Sequence, residues 1–222
     1  MLRSLFAGFV AAAVGVGVGW SNYFALPGAM RIDWSAMLPV VVAFGGLCGL
    51  LTGLGLGGGM SWVARKDGAD VGAVRLTVGA TVGAVLACTV PATLGIAGFA
   101  HVNAPYAGTA NILGSTLLAS ATFVALFAPS LHREPGLRWL PRLGLATGAS
   151  ALTTTTLGTL VWLLADQLAL LPSFPEMAMA AERIGLWRFS AVVAAGLCAA
   201  LGVFMGLATW VYLTVALAVQ RR

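Results

Sequence analysis

A chain of 222 residues that is 59% hydrophobic and 9% charged cannot clothe a water-soluble fold, because soluble domains present about 25% charged residues. A mean hydropathy of +0.95 carries the same message. The net charge of +5 comes from bases set singly between apolar runs, with no basic stripe and no aromatic stacking platform, so nucleic acid is not an expected partner and the charge reads as a topology signal.

Crossing the hydrocarbon core takes about 20 apolar residues, and six segments meet that length. The first runs from about Leu5 to Phe24. Arg3 precedes it, as in a signal peptide, but the run is longer than an ordinary signal-peptide core and is read as a retained span. The second runs from Met37 to Trp62, the third from Leu76 to Phe99, the fourth from Ile112 to Leu131, the fifth from Leu143 to Leu171 and the sixth from Phe189 to Val219. The breaks between them are polar or rich in turn formers: Leu26-Pro27-Gly28, Arg65-Lys66-Asp67-Gly68, His101 to Asn111, Arg133-Glu134-Pro135-Gly136 and Leu171-Pro172-Ser173-Phe174-Pro175. None is long enough for a soluble domain. The expectation is one all-α, polytopic membrane domain over residues 1–222. Residues 176–187 are open between a short interfacial helix and an ordered loop.

Arg and Lys set the orientation. With the N-terminus inside, the inner ends hold Arg3, Arg65, Lys66, Arg75, Arg133, Arg138, Arg142, Arg221 and Arg222, against Arg31, Arg183 and Arg188 outside. An even span count returns the C-terminus to the inner side, giving an N-in/C-in bundle of six transmembrane helices. Nearly all the bases are Arg, which with heavy Ala and Gly use points by association to a bacterial inner membrane. Trp20, Trp34, Trp62, Trp139, Trp162, Trp187 and Trp210 fall mostly near span ends, as an aromatic belt requires.

The second segment carries Gly45, Gly49, Gly53 and Gly57 at a four-residue step. Each step turns by only about 40° on an α-helix, so the four form one slowly curling groove. In lipid such a groove lets a second backbone approach, and that close packing is what holds helices together there. The partner is a helix of the same chain, a second copy or another membrane subunit; spacing alone does not choose. Gly46-Leu47-Cys48-Gly49-Leu50-Leu51 in the second segment is similar to Gly196-Leu197-Cys198-Ala199-Ala200-Leu201 in the sixth. A parallel repeat and a chance likeness of apolar segments both remain open. Gly55-Leu56-Gly57-Gly58-Gly59 is no nucleotide loop, for it lacks a preceding strand and the Gly-Lys-Ser/Thr ending.

Polar residues inside a membrane are costly and mark function by default. The fifth segment is richest, and Thr155, Thr159 and Asp166 fall within about 40° on a helical wheel, making a candidate substrate path. The alternative is hydroxyls bonded one turn back and a carboxylate at the headgroups. Pro91 interrupts the third segment's ladder and is a second candidate, since broken helices can mark transport sites. Cys48, Cys88 and Cys198 lie in apolar runs with no CxxC and no nearby His, so they read as small buried thiols and no metal or cofactor is expected. His101 and His132 fall on opposite faces of the membrane, and no nucleophile–His–acid set can be drawn, so the chain is not expected to be an enzyme.

Two functions fit. One is a small-solute or ion transporter or channel, or the membrane subunit of one, suggested by the Thr/Asp stripe and Pro91. The other is a non-catalytic accessory or assembly subunit of a larger membrane complex, suggested by scarce buried charge and glycine grooves. The partners expected are the lipid bilayer and a second copy or other membrane subunits.

Overall fold

The computed structural model describes residues 1–24, 34–67, 72–99, 109–131, 138–167, 179 and 182–220. They form six long helices: α1 (Leu2–Phe24), α2 (Trp34–Asp67), α3 (Ala73–Phe99), α4 (Thr109–Phe127), α5 (Trp139–Gln167) and α6 (Leu186–Gln220). A 3-10 turn, Ala128–Ser130, follows α4, and no strand occurs among the described residues. The chain is all-α.

The helices begin about one turn before the apolar runs do. Leu5 N–H bonds the Met1 carbonyl, Leu76 that of Gly72, Arg142 that of Arg138 and Phe189 that of Gly185. The apolar edge therefore marks the first donor in the ladder, while the turn before it supplies acceptors and can be polar. Pro141 fits in the first turn of α5 because its missing N–H has no partner there anyway. The fourth apolar run, expected to about Leu131, divides near its end: Pro129 cannot donate back to Ala125, so α4 stops at Phe127 and the chain tightens into the 3-10 turn. Ser130 Oγ donates to the Phe127 carbonyl at 2.6 Å. Residue 179 and residues 182–184 are helical, and Gly185, at φ 87°, turns the chain into α6. Most of the 176–181 stretch, and the turn-forming connectors, lie outside the described residues.

The first three helices run antiparallel in succession, and α6 runs antiparallel to α3. Gly8 of α1 lies against Gly49 and Gly53 of α2, while Ser4 lies against Gly57, so one chain ascends as the other descends. Gly55 and Gly59 of α2 meet Gly83 and Gly79 of α3, and Gly202 and Gly206 of α6 meet Thr81 and Thr77 of α3, in the same sense. Each helix packs on two principal neighbours, in the cyclic order α1, α2, α3, α6, α5, α4 and back to α1. One end of this ring collects Arg3, Arg65, Arg75, Arg138 and Arg142 and is called the basic end below.

The ring's basic half is solid. Leu56 and Met60 of α2, Leu76 and Ala80 of α3, Phe127 of α4, Ala146 of α5 and Met205 and Ala208 of α6 are all buried in one core. Phe123 and Phe127 stack with centroids 5.2 Å apart.

The outer surface is apolar instead. On α3, Val74, Val78, Val82, Leu86, Val90 and Leu94 are all exposed at a four-residue step, opposite the buried row Leu76, Ala80, Ala84 and Cys88. From first to last the exposed row rises roughly 30 Å, the thickness of a hydrocarbon core. Three helices are long and apolar enough over the described residues to cross a membrane: Gly46–Arg65, Ala73–Leu94 and Leu186–Val219. Trp62 and Trp139 stand exposed at the basic end and Trp187 at the other. Such a surface belongs in lipid, and the chain is a membrane protein.

Candidate functional site

Glycine seams position the site. A methyl group on Gly8 would stand 2.5 Å from the Cα of Gly53, and one on Gly49 would stand 2.8 Å from the Gly8 carbonyl oxygen. Gly49, Gly53 and Gly57 thus face α1 of the same chain; a methyl on Gly57 would meet Ser4 and stand 3.0 Å from the Phe127 ring. The surroundings of Gly45 lie outside the described residues. Two further residues of α2, Gly55 and Gly59, form a second groove turned toward α3. On the far side of α3, a methyl on Gly202 would stand 2.7 Å from the Thr81 nitrogen. With α2 and α6 both pressed on α3, their side chains meet around it.

Buried thiols line this seam. Cys88 of α3 is buried, and its thiol donates to Thr52 Oγ1 of α2 at 3.4 Å. Thr52 has already turned its own proton to the Cys48 carbonyl at 2.7 Å, so its lone pair is what faces Cys88. Cys198 of α6 is also buried, and Cys48 is half-buried. All three thiols are free. No group of three or more metal-ligating side chains exists among the described residues.

Pro91 lies three residues beyond Cys88 and is buried. The helix continues past it, and with no N–H it leaves the Ala87 carbonyl without its ladder donor. Hydroxyls crowd the same turns: Thr89 Oγ1 donates to the Val85 carbonyl at 2.6 Å and Thr93 Oγ1 to the Thr89 carbonyl at 2.7 Å. The buried oxygens of Ser190 on α6 and, about three turns nearer the basic end, of Thr81 on α3 have no hydrogen-bond partner among the described residues. Side chains with hydroxyls and thiols, and none with charge, make up this junction.

The other expected path is placed elsewhere. Thr155 and Thr159 of α5 are exposed on the outside of the ring, with Thr156 and Leu160 beside them. Below them on the same helix, Gly144 and Gly148 have open space where a side chain would be. Asp166 belongs to the last turn of α5, and its side chain lies outside the described residues. Thr153, one turn from Thr156, is buried and donates to the Ala149 carbonyl. At the basic end, the Arg142 guanidinium of α5 is hydrogen-bonded to the buried Tyr212 hydroxyl of α6.

The structure therefore does not join Pro91 to Thr155 and Thr159. Pro91 sits on the α3 seam and the threonines look outward from α5. Reading the residues in order missed that buried thiols line the α3 seam, because Cys48, Cys88 and Cys198 are 40 and 110 residues apart in the chain. One signal was available: the likeness of the two Gly-Leu-Cys segments puts Cys48 and Cys198 at matching places on two helices that run in the same direction. Comparison with protein-family models, curated proteins and solved structures returns no match for this chain.

Proposed function

We propose that the chain is a six-span inner-membrane protein, N-in and C-in, that works as a non-catalytic subunit of a larger membrane assembly and docks through the outward face of α5. The observation that carries this reading is the chemistry of that face. Gly144, Gly148, Thr155 and Thr159 look away from the ring, whereas the corresponding face of α3 is a row of Val and Leu. Lipid favours the α3 composition. Small residues and hydroxyls are the composition of helix–helix contacts in membranes. The antiparallel packing of α1 on α2, α2 on α3 and α3 on α6, with arginines gathered at one end, supports the six-span threading.

The reading is tested with a photocrosslinking amino acid at position 155 or 159 in native membranes. A discrete protein adduct, either a second copy or another membrane protein, is the expected result. Adducts with lipid alone at both positions would overturn it. Replacement of Val82, on the lipid-type face, serves as the control that yields no protein adduct.

A second reading, a small-solute or ion transporter, is favoured by the buried Pro91 break among Thr89, Thr93 and Cys88. A path along the ring axis would have to displace Met60, Phe127 and Met205, so transport would need the basic half to open. Purified protein in sealed vesicles that moves no solute until the Pro91 region is altered would speak against it.

A further inference from the structure

The two apolar spans of the α2–α3 hairpin both end at arginine. The membrane-length stretch of α2 closes on Arg65, and that of α3 opens at Ala73, just before Arg75. Both arginines are exposed. The glycine seam sets them at one depth. Gly59 meets Gly79, and a methyl on Gly79 would also stand 2.8 Å from Cγ2 of Val63. In this antiparallel register Arg65 lies level with Ala73, so the two arginines differ by about 3 Å along the axis. They also share a face. With about 100° per residue, Met60 and Ala80 lie on the core side of the seam glycines, and Trp62, Arg65, Arg75 and Val78 lie on the other side, where all four are exposed. Gly58, one turn before Trp62, has nothing within 4 Å of where a side chain would stand, so the surface is recessed beside the indole.

We propose that Arg65, Trp62 and Arg75 form a headgroup site for an anionic phospholipid, with the phosphate between the two guanidiniums and an acyl chain along Val78, Val82 and Leu86. The apolar row makes the occupant a lipid and not a free anion, because the row runs on from the arginines to Leu94. Charge makes that lipid anionic. Residues 65–75 hold Arg65, Lys66 and Arg75 against Asp67 and Asp70, a net positive stretch. A zwitterionic headgroup would bring its own ammonium against these bases, and an anionic one brings none. A guanidinium has five N–H donors and gives two of them to a phosphate, so each arginine can hold the lipid while keeping a contact to a neighbour. Trp62 stands at the depth where indoles anchor to the membrane interface.

The test is native mass spectrometry of the full chain in detergent, with phosphatidylglycerol and phosphatidylcholine of matched acyl chains added in equal amounts. Retention of phosphatidylglycerol with a preference of about tenfold or more is expected, since each basic side chain at a membrane surface strengthens anionic binding several-fold. Replacing both arginines, Arg65→Gln with Arg75→Gln, should abolish the preference at an unchanged melting temperature. Arg3→Gln, at the same end of the ring but on α1, should keep it. A photoactivatable phosphatidylglycerol reconstituted with the parent should label the peptides that carry Trp62 to Arg65 or Val74 to Val78. Equal retention of the two lipids, a preference that survives the double replacement, or an equal loss in Arg3→Gln would overturn the proposal. So would displacement of the lipid by inorganic phosphate as readily as by phosphatidylglycerol, or a dimer of the chain that carries no lipid. Should the double variant melt early, the labelled peptides of the parent decide, and labels confined to other helices refute the site.

Discussion

Gly59 and Gly79 meet backbone to backbone: a methyl group on Gly79 would stand 2.7 Å from the Gly59 carbonyl oxygen, and one on Gly59 would land on that of Gly79. Neither position has a side chain that could swing aside, so the contact is possible only with hydrogen at both. The gain is dispersion along two closely apposed helices, supplemented by Cα–H···O contacts of about 0.5–1 kcal/mol each.

Gly59→Leu or Gly79→Leu should therefore force α2 and α3 apart. The expected cost is about 3 kcal/mol or more, at the upper end for overpacking, read as a fall in melting temperature in detergent. Gly58 is the internal control, because nothing lies within 4 Å of a methyl placed there. Gly58→Leu should melt within a degree or two of the parent; equal loss in both variants would show that helix propensity, and not the contact, matters.

Phe127 fills the basic half against Phe123 and Gly57. In a soluble core its replacement by Ala costs about 3–5 kcal/mol. In lipid the transfer from water contributes little, because lipid tails are as apolar as the core. What remains is lost packing, so Phe127→Ala should cost about 1–3 kcal/mol by reversible denaturant titration. Leu86→Ala, on the lipid-facing row of α3, should change stability by less than about 0.5 kcal/mol.

The Arg142–Tyr212 hydrogen bond ties α5 to α6 at the basic end. Tyr212→Phe keeps the ring and deletes only the hydroxyl, and a loss of about 1–2 kcal/mol is expected for a bond to a charged donor. A double-mutant cycle with Arg142→Gln should return a coupling of similar size. Coupling near zero would mean the pair contributes only packing.

The six-span, N-in threading proposed above would place residues 133–142 on the cytoplasmic face. A Gly136→Cys variant should resist a membrane-impermeant maleimide in intact cells and react after permeabilisation, while the three native thiols, two of them buried, stay unlabelled in both. Labelling from outside would reverse the orientation.

Much of this fold was legible residue by residue. The apolar runs located all six helices to within about a turn, because the cost of an unsatisfied backbone in lipid leaves helices as the only short-range solution. The arginines that mark one end of the ring were equally plain. Pro129 shows the limit of reading apolarity alone: its neighbours are apolar enough for a span, yet its missing N–H ends the α-helix.

What the chain's own order determined, then, was length, helicity and the end at which charge collects, since these depend on residue type and near neighbours. Only the tertiary structure decided who meets whom. Helix neighbours in lipid are chosen by the fit of small residues, which a four-residue spacing announces without naming a partner: α2 proved to carry one glycine groove for α1 and a second, Gly55 and Gly59, for α3. The same choice turned Gly202 and Gly206 of α6 onto α3 and Thr155 and Thr159 outward, because a helix face acquires a meaning only when the helix opposite it is in place.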